Sequence, residues 1–291
     1  MLNFITWDFD PVLFSIGDFE IRYYGLLWAA SFWIGYTLVK NMYKKEGLAE
    51  KLMDPLLYSV LLGAVLGARL GHVFFYDYDW YFTANNPDGK SHLLSVLNIR
   101  EGGLASHGGT IGVILAVWWY SRKRIHRSIL FVMDKIVIPG ALAGALIRLG
   151  NFLNHEIVGI ESDKPWAVLF KRAGVNRIKD ADNKVVQVID LAANPRHPAQ
   201  MYESISYAIV FVLLYFLYTK KQWFKKEGKL FGLFLMIVFT ARFFIEFVKN
   251  SQDGFEELVD QALSTGQLLS IPFVLIGVYL FFTAKEKVAV D

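Results

Sequence analysis

Apolar residues along this chain fall in long blocks instead of alternating with polar ones as over a soluble core. The blocks lie at approximately 21–39, 55–76, 104–120, 130–153, 201–218, 229–248 and 267–283. Each has the roughly 17–25 residues that a helix needs to cross a hydrocarbon layer about 30 Å thick. The pattern predicts an all-α polytopic membrane protein of about seven transmembrane helices, with residues 1–291 as one integral membrane domain. The first 20 residues have no basic region followed by an apolar core, and acids and Pro11 interrupt them. They read as an interfacial arm, anchored by Trp7, Phe9 and Phe14, and not as a cleaved signal peptide.

The polar segments between the blocks carry the orientation. Basic clusters follow the first block (KNMYKKEG), the third (RKRIHR), the fifth (KKQWFKK) and the seventh (KEK). Seven crossings put all four on one side, and the excess of Lys and Arg makes that side cytoplasmic. The N-terminus, the acidic YDYDWYFTANNPD, the 155–199 segment and NSQDGFEELVD then face the periplasm, with the C-terminus inside. Segment 155–199 is charged with short apolar runs and is expected to form a small periplasmic cap.

Composition narrows the chemistry. The absence of cysteine removes disulfides, a thiolate nucleophile and cysteine metal ligands from this chain. A net charge of +3, made of topology signals, gives no reason to expect nucleic acid. There is no phosphate-binding glycine–lysine loop, dinucleotide fingerprint or H-E-x-x-H, and His155 and Glu156 do not share a helical face. No metal or cofactor is expected.

Charge inside a membrane helix is a functional hypothesis by default. In the derived topology Arg22, Arg69, His72, His107, Arg148, Arg242 and Glu246 all fall in the outer half of the membrane. Helical spacing groups Arg69 with His72, Arg148 with Asn151 and His155, and Arg242 with Glu246 and Lys249. Asn154 lies close to the Arg148 face. Planar, permanently charged guanidinium groups beside asparagines suit a phosphate, and a phosphate abundant in the membrane plane is a phospholipid headgroup. Glycines 63, 67 and 71 recur every four residues, a spacing that lets helices approach closely. Four glycines surround His107. The plainer alternatives are interhelical hydrogen bonding for the asparagines, a helix-start role for His107, aromatic-belt roles for Tyr23 and Tyr24, and capping for His197 and Glu203.

The stretch RLGNFLNHEIVG, 148–159, closely resembles the signature of the bacterial prolipoprotein diacylglyceryl transferase family, roughly G-R-x-G-N-F-x-N-x-E-x-x-G. DPVLFSIGDFEIRYYG, GARLGHVFFY, EGGLASHGGTIG, PRHPAQMYE, ARFFIEFVK and GQLLSIP follow the family's order and spacing across nearly the whole chain. Two positions depart from the family pattern: Ile147 replaces the glycine before the signature arginine, and Val238 stands where many members have tyrosine.

The resemblance implies transfer of the diacylglyceryl group of phosphatidylglycerol to the lipobox cysteine thiol of a preprolipoprotein, with release of glycerol phosphate. This would be the first step of lipoprotein maturation, in the bacterial inner membrane. The positions it implicates are Tyr24, His107, Arg148, Asn151, Glu156, Gly159, Arg242 and Glu246. Joined to the residue reading, the expected catalytic groups are His107, Arg148 and Arg242. Tyr24, Arg69, Asn151, Asn154, Glu156, Gly159 and Glu246 are expected to bind substrate. His107 is the first candidate for the base that deprotonates the thiol, with Glu156 or Glu246 as alternatives. The rival class is a transporter, which would place its binding groups near the midplane between repeated halves. The outward skew of the charges and the absence of a repeat argue for interfacial chemistry.

Overall fold

A computed structural model of the chain describes residues 4–17, 19–75, 77–82, 96, 103, 105–179, 185–249 and 263–286. Tyr76 and most of the 83–104 and 250–262 segments lie outside these residues. Among the described residues the helices of 15 residues or more are α1 (Tyr23–Lys45), α2 (Met53–Phe75), α3 (Ser106–Tyr120), α4 (Ile129–Leu153), α5 (Ala199–Thr219), α6 (Lys229–Ile245) and α7 (Thr265–Thr283). Five helical stretches are long and apolar enough to cross a membrane: Glu50–Phe75, Ile129–Leu153, Ala199–Thr219, Lys229–Val248 and Thr265–Thr283. α1 and α3 occupy the other two apolar blocks, and α3 has 15 residues. The first block starts as extended chain, because Phe19–Arg22 pairs antiparallel with Val12–Ile16 before α1 begins.

The chain divides into two compact units, residues 39–133 and residues 1–38 with 134–291. In the first of these, α2 and α3 meet through glycine. A Cβ on Gly63 or Gly71 would land on the α3 backbone at Gly112 or Gly108, so only hydrogen at these positions allows such close approach. The four-residue glycine spacing is the packing device it resembled. At the other end of α3, the Tyr120 hydroxyl donates to Leu52 O at 3.0 Å and lies 3.2 Å from the Tyr43 hydroxyl, both rings being buried.

The second unit holds α4 from Asp134 onward, α5 to α7 and the strands. Gly232 and Gly277 bring α6 against α7, and Phe239 stacks on Phe273 with centroids 4.4 Å apart. Asp134, buried on α4, accepts hydrogen bonds from the Gly228 and Phe231 amides at 2.6 and 2.8 Å and so caps α6. The N-terminal arm is tied in. Strand Ile5–Trp7 pairs parallel with Val168–Phe170, and Arg172 bridges Asp8 and Asp10 at 2.9 Å each. The Val12 amide and then Arg172 hold the Asp10 carboxyl below its ordinary range. Trp7 packs on Phe152, 4.7 Å between centroids, beside the core of Val158, Val168 and Phe170. Phe14 is exposed. Segment 155–199 contains Val168–Phe170 and an antiparallel hairpin of Val175–Lys179 with Val185–Asp190.

Gly112→Val should lower the thermal midpoint in detergent by the equivalent of about 1–3 kcal/mol, the usual cost of overpacking. Gly140→Ala, where an added Cβ meets nothing within 4 Å, should leave it unchanged or higher. Equal midpoints for the two variants would contradict a glycine-dependent contact.

Candidate functional site

The polar run after α4 ends that helix and folds back on it. The amide of Glu156 donates to Asn151 O at 2.9 Å, and that of His155 to Phe152 O at 3.1 Å, with His155 at φ +57°. This is a Schellman ending with histidine at the left-handed position that glycine usually takes. An L-residue there is strained by about 1–2 kcal/mol. Buried His155 has compensating contacts: its Nε2 lies 2.9 Å from Phe9 O and its ring meets Phe170 edge-on.

In such endings a hydrophobic contact commonly accompanies the pair of backbone bonds. Here a side-chain pair between the two residues that close the motif is polar. Asn151 Nδ2 donates to Glu156 Oε2 at 3.1 Å, and Asn154 Nδ2 to Glu156 Oε1 at 3.1 Å. Asn151 Oδ1 accepts from Arg148 Nη1 at 3.4 Å. The asparagines therefore connect an arginine on α4 to an exposed carboxylate just beyond it. Gln200 Nε2 donates to Glu156 O and fixes the turn to the start of α5.

Arg148 is held on its other sides by α5. Glu203, read from sequence as a possible cap, is fully buried with Oε2 2.8 Å from Arg148 Nε. Neither Glu203 oxygen has an aligned hydrogen-bond donor, so the contact is an ion pair without a well-formed hydrogen bond. The Tyr207 hydroxyl interacts with Arg148 and lies within electrostatic reach of Arg242. Lys249 Nζ stands 3.6 Å from Glu203 and 3.6 Å from Glu246. The Arg242–Glu246 pairing suggested by i,i+4 spacing is not among the ion pairs of the described residues; Glu246 pairs with Lys249, and its carboxylate rests against Gly266 in the first turn of α7. A helix N-terminus favours negative charge there. Arg242, half-buried, has no carboxylate within ion-pair distance among the described residues.

Two further expected positions join this cluster. Tyr24 lies with its ring against Gly150 and interacts electrostatically with Glu156 and Arg148. Gly159 donates to His197 O at 2.9 Å and bridges to Lys249, while Ile160 donates to Val248 O at 3.0 Å. A Cβ at Gly159 would strike both Val248 O and His197 O. The glycine thus lets three chain segments meet and sets the position of Lys249. Arg196, buried beside them, donates to Leu191 O, Gly159 O and Glu161, and burial lowers its pKa.

Arg69 and His107 belong to the other unit, residues 39–133. Buried Arg69 donates to Val96 O at 2.8 Å, Gly103 O at 3.3 Å and the Tyr81 hydroxyl at 3.0 Å. His72 lies against Gly103, whose φ of +74° and closeness to the imidazole both exclude a side chain. His107 lies in the first turn of α3, where it is exposed.

Glu203, Tyr207, Gln200 and Lys249 were not among the expected site residues. Gln200, Glu203 and Tyr207 follow the i, i+3, i+7 spacing of one helical face, and that polar stripe in an apolar helix was the available signal. Among the described residues no group of His, Asp and Glu is arranged to hold a metal ion.

Residues 11–283 match the sequence model of the family described as prolipoprotein diacylglyceryl transferase. Similar proteins carry the name phosphatidylglycerol–prolipoprotein diacylglyceryl transferase. That of Tolumonas auensis is 42% identical over 97% of this chain and 99% of its own length. That of Chloroherpeton thalassium is 40% identical over 99% and 97%. That of Porphyromonas gingivalis is 42% identical over 98% and 96%.

One titration follows from the local electrostatics. Burial first, then the Lys164 ammonium, pulls the His197 imidazole below 6.5, against an opposing pull from Asp163. The fold prefers the neutral ring, whose Nδ1 sits 3.0 Å from the Tyr202 hydroxyl. Its contribution to stability is therefore complete above the unfolded value and is lost as pH falls through that value towards the folded one. An NMR titration of His197 should give a midpoint below about 6.5, with thermal stability declining below that pH. A midpoint at or above it would contradict the burial argument.

Proposed function

The chain belongs to the prolipoprotein diacylglyceryl transferase family, and we propose that Arg148 and Arg242 grip the phosphate of its phospholipid substrate. The protein transfers the diacylglyceryl group of phosphatidylglycerol to prolipoproteins in lipoprotein biosynthesis. The observation that carries the site assignment is the immobilisation of Arg148. Glu203, Tyr207 and Asn151 hold the guanidinium, so little reorganisation is needed when it meets an anion. Arg242 supplies a second guanidinium with no carboxylate ion pair among the described residues.

In the proposed reaction the acceptor is the lipobox cysteine of the prolipoprotein signal peptide. His107 takes the thiol proton, and the sulfur attacks the diacylglyceryl carbon that bears the phosphate ester. A C–S bond forms as the C–O bond breaks, and the electron pair leaves on the oxygen of glycerol phosphate. Two arginines near that oxygen stabilise the charge as it develops. Glu156, exposed and fixed by two asparagines, is placed to accept hydrogen bonds from the headgroup glycerol, with Tyr24 beside it. Asn151 and Asn154 serve the substrate through Arg148 and Glu156, Gly159 and Glu246 through Lys249, and Arg69 through the loop that leads to His107. Glu156 is the second candidate for the base.

The arrangement in the membrane belongs to the same reading. It has seven spans in the bacterial inner membrane, with the N-terminus periplasmic, the C-terminus cytoplasmic and the site towards the periplasmic leaflet. The 155–199 segment caps the site, and membrane lipids surround the helices.

The test is a detergent assay with phosphatidylglycerol and a cysteine-bearing lipobox peptide, following peptide mass and glycerol phosphate. Wild type should give a diacylglyceryl mass gain with matching glycerol phosphate. Arg148→Lys should lose on the order of 100-fold or more, the scale of one preorganised charge contact. His107→Asn should lose roughly 100-fold or more if it is the base. Near-normal turnover by a folded variant would remove the role assigned to that residue.

A further inference from the structure

The far ends of α5, α6 and α7 enclose a second charged site. There the C-termini of α5 and α7 and the N-terminus of α6 frame a pocket of about 420 Å³. α6 alone, at 17 residues, separates this pocket from Glu246 by about 25 Å. Five of the eight residues lining it are lysines, opposed by Glu286. Orientation signals need only lie on one side of the membrane; these lysines also converge on a cavity.

The pocket has a built wall. Lys229 Nζ lies 4.2 Å from the Trp223 ring centroid and 5.1 Å from that of Phe281, and those rings are 5.8 Å apart. The turn is set by left-handed Gln222 and Gly228. The backbones of Lys226 and Glu286 pair in an isolated antiparallel bridge, joining the connection before α6 to the chain beyond α7. Lysine, a strongly hydrated point charge on a flexible stem, suits a phosphate at a wet interface.

We propose that this pocket binds the phosphate of an anionic phospholipid in the leaflet at that end of the helices. The apolar surroundings select a lipid over a free anion. On the adjoining last turns, Phe282 is 75% exposed, Tyr279 66% and Phe216 47%, a surface for acyl chains directly next to the lysines. A basic pocket at the membrane-facing ends of transmembrane helices is a recurrent way to hold such headgroups. This lipid is held for structure or regulation at the end of the helices opposite Glu203 and Glu246, and the proposal stands apart from the transferase reading.

The test uses phosphatidylserine, which is anionic but is not the donor lipid, with phosphatidylcholine as the neutral control. Native mass spectrometry of the purified full chain in neutral detergent should show preferential phosphatidylserine binding. Lys221→Gln with Lys225→Gln should weaken it roughly tenfold or more, at about 1 kcal/mol per lysine, leaving phosphatidylcholine binding and transferase turnover unchanged. Equal phosphatidylserine binding by the double variant overturns the proposal. Displacement of the lipid by millimolar inorganic phosphate would overturn the lipid assignment in favour of a free-anion site. If the variant does not fold, photoactivatable phosphatidylserine on the wild-type chain decides. Crosslinks at 220–229 support the pocket, and crosslinks only elsewhere overturn it.

Discussion

A carboxylate with no solvent exposure sits in α5, a helix apolar enough to cross a membrane, and its charge has to be answered by protein. Glu203 is answered by Arg148 from α4 and Lys249 from beyond α6, so one buried charge ties three segments together. Removal of either cation would leave an unmatched charge in a low-dielectric setting, which costs far more than a surface pair. The pairing also fixes the arginine. A free guanidinium on a long side chain would sample many rotamers, whereas this one is braced by a carboxylate, a tyrosine hydroxyl and an asparagine.

The backbone serves the same end. A helix ending in a left-handed histidine is strained, yet the turn places Asn151 and Glu156 side chains within hydrogen-bond distance. His155 is anchored to Phe9 of the N-terminal arm, and that arm is tied to the 155–199 segment by the Ile5–Trp7 strand and by Arg172. The arm thereby contributes to the geometry of the signature turn, a role beyond surface anchoring. Gly159 completes the frame by letting Lys249 come close enough to pair with Glu203 and Glu246.

Much of this was legible in the sequence because it depends on local period and residue type. Apolar block lengths gave the helix positions, and four-residue spacing gave the glycine contact of α2 with α3. The run from Arg148 to Glu156 marked the polar turn by having no reason to exist in an apolar helix. What escaped was long-range pairing. Glu203 lies 55 positions from Arg148, and at the start of a helix a glutamate ordinarily reads as a solvated cap. The i,i+4 rule suggested that Glu246 neutralises Arg242, but Lys249, an i,i+3 neighbour, competes for it. Strands in the arm were missed because short extended segments carry few residues of period, and their partners, such as Val168–Phe170, are distant in sequence.

The exchange of partners at Glu246 has a chemical consequence. Had Arg242 been paired with Glu246, the two would have formed a neutral unit, and an incoming phosphate would have to compete with an intramolecular carboxylate. Lys249 takes both Glu246 and Glu203 at 3.6 Å, longer contacts than the 2.8 Å of Arg148 to Glu203. A single ammonium shared between two carboxylates neutralises each only in part. The helix start at Gly266 supplies further positive potential to Glu246. Helix geometry and one lysine thus relieve Arg242 of the pairing that spacing suggests, and its half-buried guanidinium has no carboxylate ion pair among the described residues.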